Sequence, residues 1–209
     1  MALPASGTIS INDVNTEFGL GQNLNAYRGQ LYGTTSGTAG VFSSGAISLS
    51  DFYSTAKVVA GGPTGLSAGS YTVPPYRTIT FTATGGAGGA TGANGVYSGG
   101  PNNGLPTSGS AGSSGTASTV TAGATTYVSG AGGGPGAAGT TTSATSTNPV
   151  LGGTGPASGS AVTVTLGPGG AGGQGGPIFN WNGSSYVLIG YAGTGATGAA
   201  GTASVSWTA

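Results

Sequence analysis

The chain has no cysteine and no histidine. Without cysteine there are no disulfide staples and no thiol nucleophile; without histidine, Ser-His and Cys-His catalysis lack their base. Charge is nearly missing too. Asp13, Glu17, Arg28, Asp51, Lys57 and Arg77 are the six charged side chains, and residues 78–209 carry none. With a net charge of zero, nothing draws the chain to nucleic acid or to an acidic lipid surface. No apolar run approaches the ~18 residues of a membrane span. The start, Met1-Ala-Leu-Pro, lacks a basic segment followed by an apolar one, so no signal peptide is expected and synthesis in a cytoplasm is. Leu, Ile, Val and Phe are scarce, which excludes a large oily core. Order must come mainly from backbone hydrogen bonding.

What the chain has in abundance is glycine, 48 of 209 residues, placed periodically. Gly167, Gly170, Gly173 and Gly176 recur every third residue, and a second series runs through 169, 172 and 175. The same spacing holds at Gly86, Gly89, Gly92, Gly95; at Gly130, Gly133, Gly136, Gly139; and at Gly195, Gly198, Gly201, with shorter pieces at Gly109, Gly112, Gly115 and around 152–159. A period of three fits neither an α-helix nor a strand. It fits a polyproline-II-like helix, whose backbone groups must find partners outside it, and glycine lets such backbones approach closely. The alternative is a flexible Gly/Ser linker.

Taken in order, residues 1–57 contain their own repeat, Gly7-Thr-Ile-Ser-Ile-Asn-Asp-Val14 recurring as Gly45-Ala-Ile-Ser-Leu-Ser-Asp-Phe52. Asn12-Asp13 and Ser50-Asp51 read as helix starts, and the first copy continues as a short helix through Val14 and Phe18, stopped at Gly19 and Gly21. So small a unit buries little alone, so Val14, Phe18, Phe52 and Tyr53 are expected to be covered by another protein or another copy. The alternative is a self-sufficient mini-domain. Residues 58–70 read as a connection. From 71 onward, Thr-rich strands are expected at 78–84, 119–128, 161–166, 186–189 and 203–207. They alternate with the tracts in three outward-and-back excursions, with loops at 96–108, 140–151 and 178–189 gathered at one far tip. The expected fold is mostly β and irregular: a small N-terminal strand–helix attachment domain (1–57), a linker (58–70), and a glycine-rich distal domain (71–209). The distal domain is expected as a Thr-rich antiparallel sheet base carrying a bundle of polyglycine-II helices.

Two parts of the sequence resemble known proteins. The N-terminal Gly-x-Ile-Ser-x-Asn/Ser-Asp repeat resembles the start of many bacteriophage tail fibre and minor tail proteins. Tyr71-Thr-Val-Pro, followed by Thr78-Ile-Thr-Phe-Thr-Ala-Thr-Gly-Gly-Ala-Gly-Gly89 and closed by Gly201-Thr-Ala-Ser-Val-Ser-Trp207, looks like the glycine-rich domain of phage tail proteins. The plan is similar to that of the T-even-like tail-tip adhesins, which stack polyglycine-II helices under variable distal loops. The resemblance implies a virion structural protein of the tail, displaying residues 71–209 for host recognition. The partners expected are other tail proteins, several copies of the chain with a homotrimer favoured, and a bacterial surface receptor or glycan. A purely architectural connector or plug is the alternative. Ice binding is a third reading, which thermal hysteresis of the purified chain would separate.

Candidate chemistry is sparse. Asp13 and Glu17 stand four apart and could be imagined as a carboxylate pair, but a carboxylate near a helix N-terminus with a solvated neighbour explains them better. No Gly-Lys-Ser/Thr follows any glycine stretch. No enzyme activity, metal or cofactor is expected. Receptor-binding candidates are the aromatic and amide groups of the three loops: Tyr97, Asn102, Asn103, Asn148, Phe179, Asn180, Trp181 and Asn182, with a hairpin expected to turn at Asn182-Gly183. The alternative is that Trp181 and Phe179 pack on each other or on the bundle.

Overall fold

In the computed structural model, which describes residues 2–209, the chain is mostly β and its sheets are mainly antiparallel. One helix, α1 (Ile11–Phe18), opens the chain. Its N-cap is Ser10, two residues before the expected start. Ser10 Oγ accepts from the Asp13 N–H, and Asp13 Oδ2 accepts from the Ser10 N–H at 2.8 Å, a reciprocal capping box. The backbone leaves the helix at Gly19 with φ 77°. The second copy of the motif repeats the box with Ser48 and Asp51, yet forms only a 3₁₀ turn, Leu49–Phe52.

Strands β1 (Leu31–Thr34), β2 (Ala39–Val41) and β3 (Thr55–Lys57) complete a small three-stranded sheet in the order β2-β1-β3. Beside it lies a cluster of rings. Phe42 sits 4.4 Å from both Tyr32 and Phe52, and Tyr27 is 5.3 Å from Phe52. Val14, Phe18 and Phe52, expected to await another protein, are buried in this cluster by the chain itself. Aromatic rings bring more buried area per residue than aliphatic ones, and edge-to-face contacts between them replace the missing aliphatics. Tyr53 stays half-buried, its hydroxyl donating to Gly7 O.

The span 58–70, expected as a linker, instead supplies most of two edge strands, β4 (Gly61–Leu66) and β5 (Gly69–Thr72). Glycine and proline disguised them, but Pro63 is tolerated on an edge, where no ladder bond is asked of its nitrogen. After β6 (Thr78–Thr84) come β7 (Gly95–Ser98), β8 (Pro106–Thr107), β9 (Ser118–Ala122), β10 (Thr125–Gly130), β11 (Thr141–Thr147), β12 (Ala161–Thr165), β13 (Pro177–Trp181), β14 (Tyr186–Tyr191) and β15 (Thr202–Trp207). The stretch 119–128, expected as one strand, is a hairpin that turns at Gly123, φ 55°.

Two four-stranded sheets, β11-β6-β15-β4 and β10-β9-β12-β5, enclose the second core. Along β6 the inward residues Ile79, Phe81 and Ala83 are buried against Val120, Val128, Val162, Val164 and Val205 from the other strands. The alternate residues Thr80, Thr82 and Thr84 pair hydroxyl to hydroxyl with Thr145, Ser143 and Thr141 at 2.7–2.8 Å. The period-two pattern thus gives one oily and one hydroxyl face.

The glycine tracts leave these sheets without being strand or helix. Tract 85–94 lies among the others, and its N–H groups donate in rotation. Gly85 and Gly88 bond to Thr140 O and Ala137 O, Gly86 and Gly89 to Thr116 O and Ser113 O, Ala87 and Ala90 to Ala199 O and Ala196 O. It accepts from Gly133 and Gly136 on one side and from Gly170, Gly173 and Gly176 on another. Two of the three expected excursions end in a common far sheet, β14-β13-β7-β8, in which β13 runs parallel to β7. The middle one does not. Tract 131–140 turns back at 134–137, and residues 140–151, expected as a tip loop, form β11 against the whole of β6. The Thr/Ser alternation that looked like a polar loop is an edge strand with its hydroxyl ladder. Residues 152–160, read as a returning tract, lie beside the sandwich core, where Gly155 N–H donates to Thr147 O and Gly159 N–H to Val73 O.

Candidate functional site

The far sheet brings most of the candidate residues together. Tyr97 on β7 stacks on Phe179 of β13, centroids 4.9 Å apart and planes 13° from parallel. Tyr186 on β14 meets both Tyr97 at 4.8 Å and Trp181 at 5.0 Å in edge contacts. The Tyr186 hydroxyl donates to Gly99 O at 3.0 Å and accepts from the Asn102 N–H at 2.5 Å, tying the 99–104 loop to the other hairpin. Asn103 Oδ1 accepts from the Gly99 N–H, which folds that loop on itself. A side chain at Gly100 would lie 2.6 Å from the Trp181 ring, so the indole lies against bare backbone there.

The β13–β14 turn forms as expected at Asn182-Gly183. Asn182 Oδ1 accepts from the N–H groups of Ser184 and Ser185, and Gly183 takes φ 102°. Asn102, Asn103, Asn180 and Asn182 are exposed, while Tyr97, Phe179, Trp181 and Tyr186 are half-buried among themselves. The aromatic rings therefore serve each other first, and the amides form the accessible polar groups.

Asn148 does not belong to this site. It is 1% exposed and lies at the sandwich, where Nδ2 donates to Tyr76 O at 2.9 Å and Ser158 Oγ at 2.8 Å, and Oδ1 caps the 3₁₀ turn 149–151 through the Val150 N–H. It follows β11, which runs away from the tip. Sequence reasoning also passed over Val187, Leu188, Ile189 and Tyr191, which are 46, 45, 62 and 54% exposed. Their signal was visible: Tyr186-Val-Leu-Ile189 is an unbroken run of large apolar residues, unlike β6, β9 and β12, where threonine alternates.

Titratable chemistry remains sparse. The backbone N–H of Ser10, followed by its hydroxyl, holds the Asp13 carboxyl below its usual range, and Glu17 Oε1 accepts from the Lys57 N–H at 3.0 Å. Both carboxylates face a cleft of about 450 Å³ with Leu3, Pro4, Thr8 and Thr16. Among the described residues no three His, Cys, Asp or Glu side chains gather as metal ligands. Burial pushes the phenols of Tyr71 and Tyr76 upward, Tyr76 the further, and the Tyr76 hydroxyl donates to Pro156 O at 2.6 Å. No protein-family model matches the sequence, and no curated protein or solved structure matches it.

Proposed function

We propose that this chain is a virion tail protein that presents its hairpin end to the surface of a bacterial host. In this reading the tracts are polyglycine-II helices standing on a Thr-rich sheet base. The threefold rotation of donors along 85–90 supports that, since a helix with three residues per turn points successive N–H groups at three neighbours. At ~3.1 Å per residue, a ten-residue tract holds its hairpin roughly 30 Å from the base.

The observation that carries the reading is the joining of two hairpins, distant in sequence, into one uncharged aromatic end with exposed amides. Loops held on a rigid scaffold suit recognition, and a neutral tip binds by short-range contact rather than steering. Residues 1–57 hold the chain to its assembly, among other tail proteins and further copies, with a homotrimer the simplest arrangement. Excess purified chain should slow adsorption of particles that carry it, and the Trp181→Ala, Tyr97→Ala double variant should compete poorly while keeping the sandwich folded. Equal competition by the double variant would remove these rings from recognition. The mutual packing of the rings favours one second reading, an architectural connector, and that outcome would put it ahead.

A further inference from the structure

The far sheet has an apolar face and no layer to cover it. Neither buried cluster contains any residue of β7, β8, β13 or β14. Paired residues share a face, so the registers Trp181↔Tyr186, Phe179↔Leu188, Phe179↔Tyr97 and Pro177↔Tyr191 put these side chains on one side of the sheet. The 99–104 loop covers only the Trp181–Tyr186 end. Leu188 and Tyr191 stay bare, and Ile189, set out of alternation by the register shift in the β13–β14 pair, is the most exposed of the group. Of the large hydrophobic side chains exposed among the described residues, Leu188, Ile189, Tyr191 and, in the adjoining loop, Leu105 lie at this sheet, while Val96 and Val187 alternate onto its other face. A sheet face of this kind needs a partner.

Area and charge narrow the partner. The four strands hold 17 residues (4, 2, 5 and 6), about half of them on this face. A stable protein pair uses about 20–30 residues on each side, so a second copy seated face to face falls short. A glycan would need polar side chains among the exposed groups, and the bare part of this face is aliphatic and tyrosine. No charge lies between residues 78 and 209, so nothing here selects an ionic headgroup. Exposed aliphatic side chains beside the exposed Tyr191 match the interfacial zone of a bilayer, where an apolar ring body and a polar ring tip are both satisfied.

We infer that the tip seats this face in the interfacial region of a lipid bilayer, with Leu188, Ile189 and Tyr191 leading. The inference rests on the reading of the hairpin end as the contacting end, and its test separates the two. In full-length chain carrying Trp207→Phe, Trp181 is the only indole. With neutral phosphatidylcholine vesicles at about millimolar lipid, the chain should co-float, and Trp181 emission should shift to the blue and be quenched by brominated acyl chains. A Leu188→Asp, Ile189→Asp variant alters exposed positions and should fold, but its co-flotation should fall at least about tenfold. Anionic lipid or about 0.5 M salt should change binding less than about twofold. No co-flotation and no change in Trp181 emission for the parent chain overturns the inference. Lipid-free dimers abolished by the same two substitutions would overturn it in favour of a second copy. If particle adsorption needs Leu188 and Ile189 while vesicles are not bound, the lipid inference fails and the attachment reading stands. If vesicles are bound and adsorption is indifferent to both residues, the lipid inference stands and the attachment reading fails.

Discussion

Gly170 offers the sharpest test of how the tracts are held. A Cβ there would lie 1.9 Å from Ser113 O, where real Cβ atoms essentially never come under 3.0 Å, so tract 167–176 must part from 109–116 by about 1.1 Å. Four bonds meet at this point. Gly170 N–H donates to Ala87 O and Gly198 N–H to Gly170 O, each at 2.8 Å; Ser113 N–H donates to Ala171 O at 2.9 Å and Ala171 N–H to Ser113 Oγ at 2.7 Å. Lengthening any of them by ~1 Å takes it out of hydrogen-bonding range. The two Ser113–Ala171 bonds join exposed residues and contribute about 0.5–1.5 kcal/mol each, and the buried Gly170 N–H about 1–3 kcal/mol where it loses Ala87 O, so Gly170→Ala should cost roughly 2–6 kcal/mol. The stiffer unfolded chain returns only ~0.4–1 kcal/mol. Gly134→Ala is the control, because nothing lies within 4 Å of a Cβ there and its φ is not positive. Denaturant melts followed by circular dichroism, with hydrogen exchange across 85–94, should show Gly170→Ala strongly destabilised and Gly134→Ala unchanged or slightly firmer. Indistinguishable melts for the two variants would refute the close-packed account of the tracts.

Asn148→Ala should destabilise the sandwich by about 2–4 kcal/mol in the same melts, because two buried partners and a turn N–H lose their bonds; competition for adsorption should persist wherever the variant is folded. Phe52→Ala should cost about 3–5 kcal/mol in the N-terminal unit, read from protection of its amides, since its fully buried ring meets Phe18, Tyr27 and Phe42. Tyr76 predicts an alkaline limit. Its folded phenol is raised above the ordinary value of ~10, so its contribution is complete below about pH 10 and is lost as pH climbs beyond it. Stability measured from pH 9 to 11.5 should fall with pH, and Tyr76→Phe should flatten that fall while lowering the plateau through loss of the Pro156 bond.

The parts of the fold most legible in the sequence were those written in a short period. Ile79, Phe81 and Ala83 against Thr80, Thr82 and Thr84 announce a half-buried strand, and β6 is that strand. Asn182-Gly183 announces a hairpin, and it turns there. Errors arose where composition imitates another state. Thr141–Thr147 has no large apolar residue and reads as loop, yet its hydroxyls give an edge strand its partners. Gly61–Leu66 reads as linker, because an edge strand needs little from its side chains. Asn148 falls at the tip only while 140–151 is read as a loop, and the burial of Val14, Phe18 and Phe52 depends on rings at Tyr27 and Phe42 that no local pattern connects to them. Trp181 and Tyr97 were legible as members of one site, but their stacking partners were not, since the parallel pairing of β7 with β13 joins residues some eighty apart in the chain.

The glycine pattern itself carried more than its period. A tract has three faces, and a face needs glycine only where a neighbouring backbone comes too close for a Cβ. In 85–95, one series is glycine throughout, at 86, 89, 92 and 95, and those positions face 167–177, where a Cβ would stand 2.0–2.2 Å from a carbonyl oxygen. A second series is glycine only at 85 and 88 and then becomes Thr91 and Asn94. At Gly85 and Gly88 the hairpin 131–140 lies against the tract, a Cβ meeting Ala131 O at 2.1 Å and Gly134 O at 1.9 Å; by Thr91 that hairpin has turned back and the residue is exposed. The third series, Ala87, Ala90 and Ala93, keeps its methyl groups although its N–H groups bond to Ala199, Ala196 and Gly193 O; on that side the glycines belong to the neighbour, where a Cβ at Gly198 or Gly195 would stand 2.1 Å from Ala87 O or Ala90 O. Tract 167–176 obeys the same rule with two full glycine series, one toward 85–94 and 109–116, the other, at 169, 172 and 175, toward 192–199. A glycine series therefore marks a side of the tract where a Cβ would strike a neighbouring backbone, and the residue where a series stops marks where that neighbour ends. The change from glycine to Thr91 was a statement, in sequence alone, that the middle excursion is short.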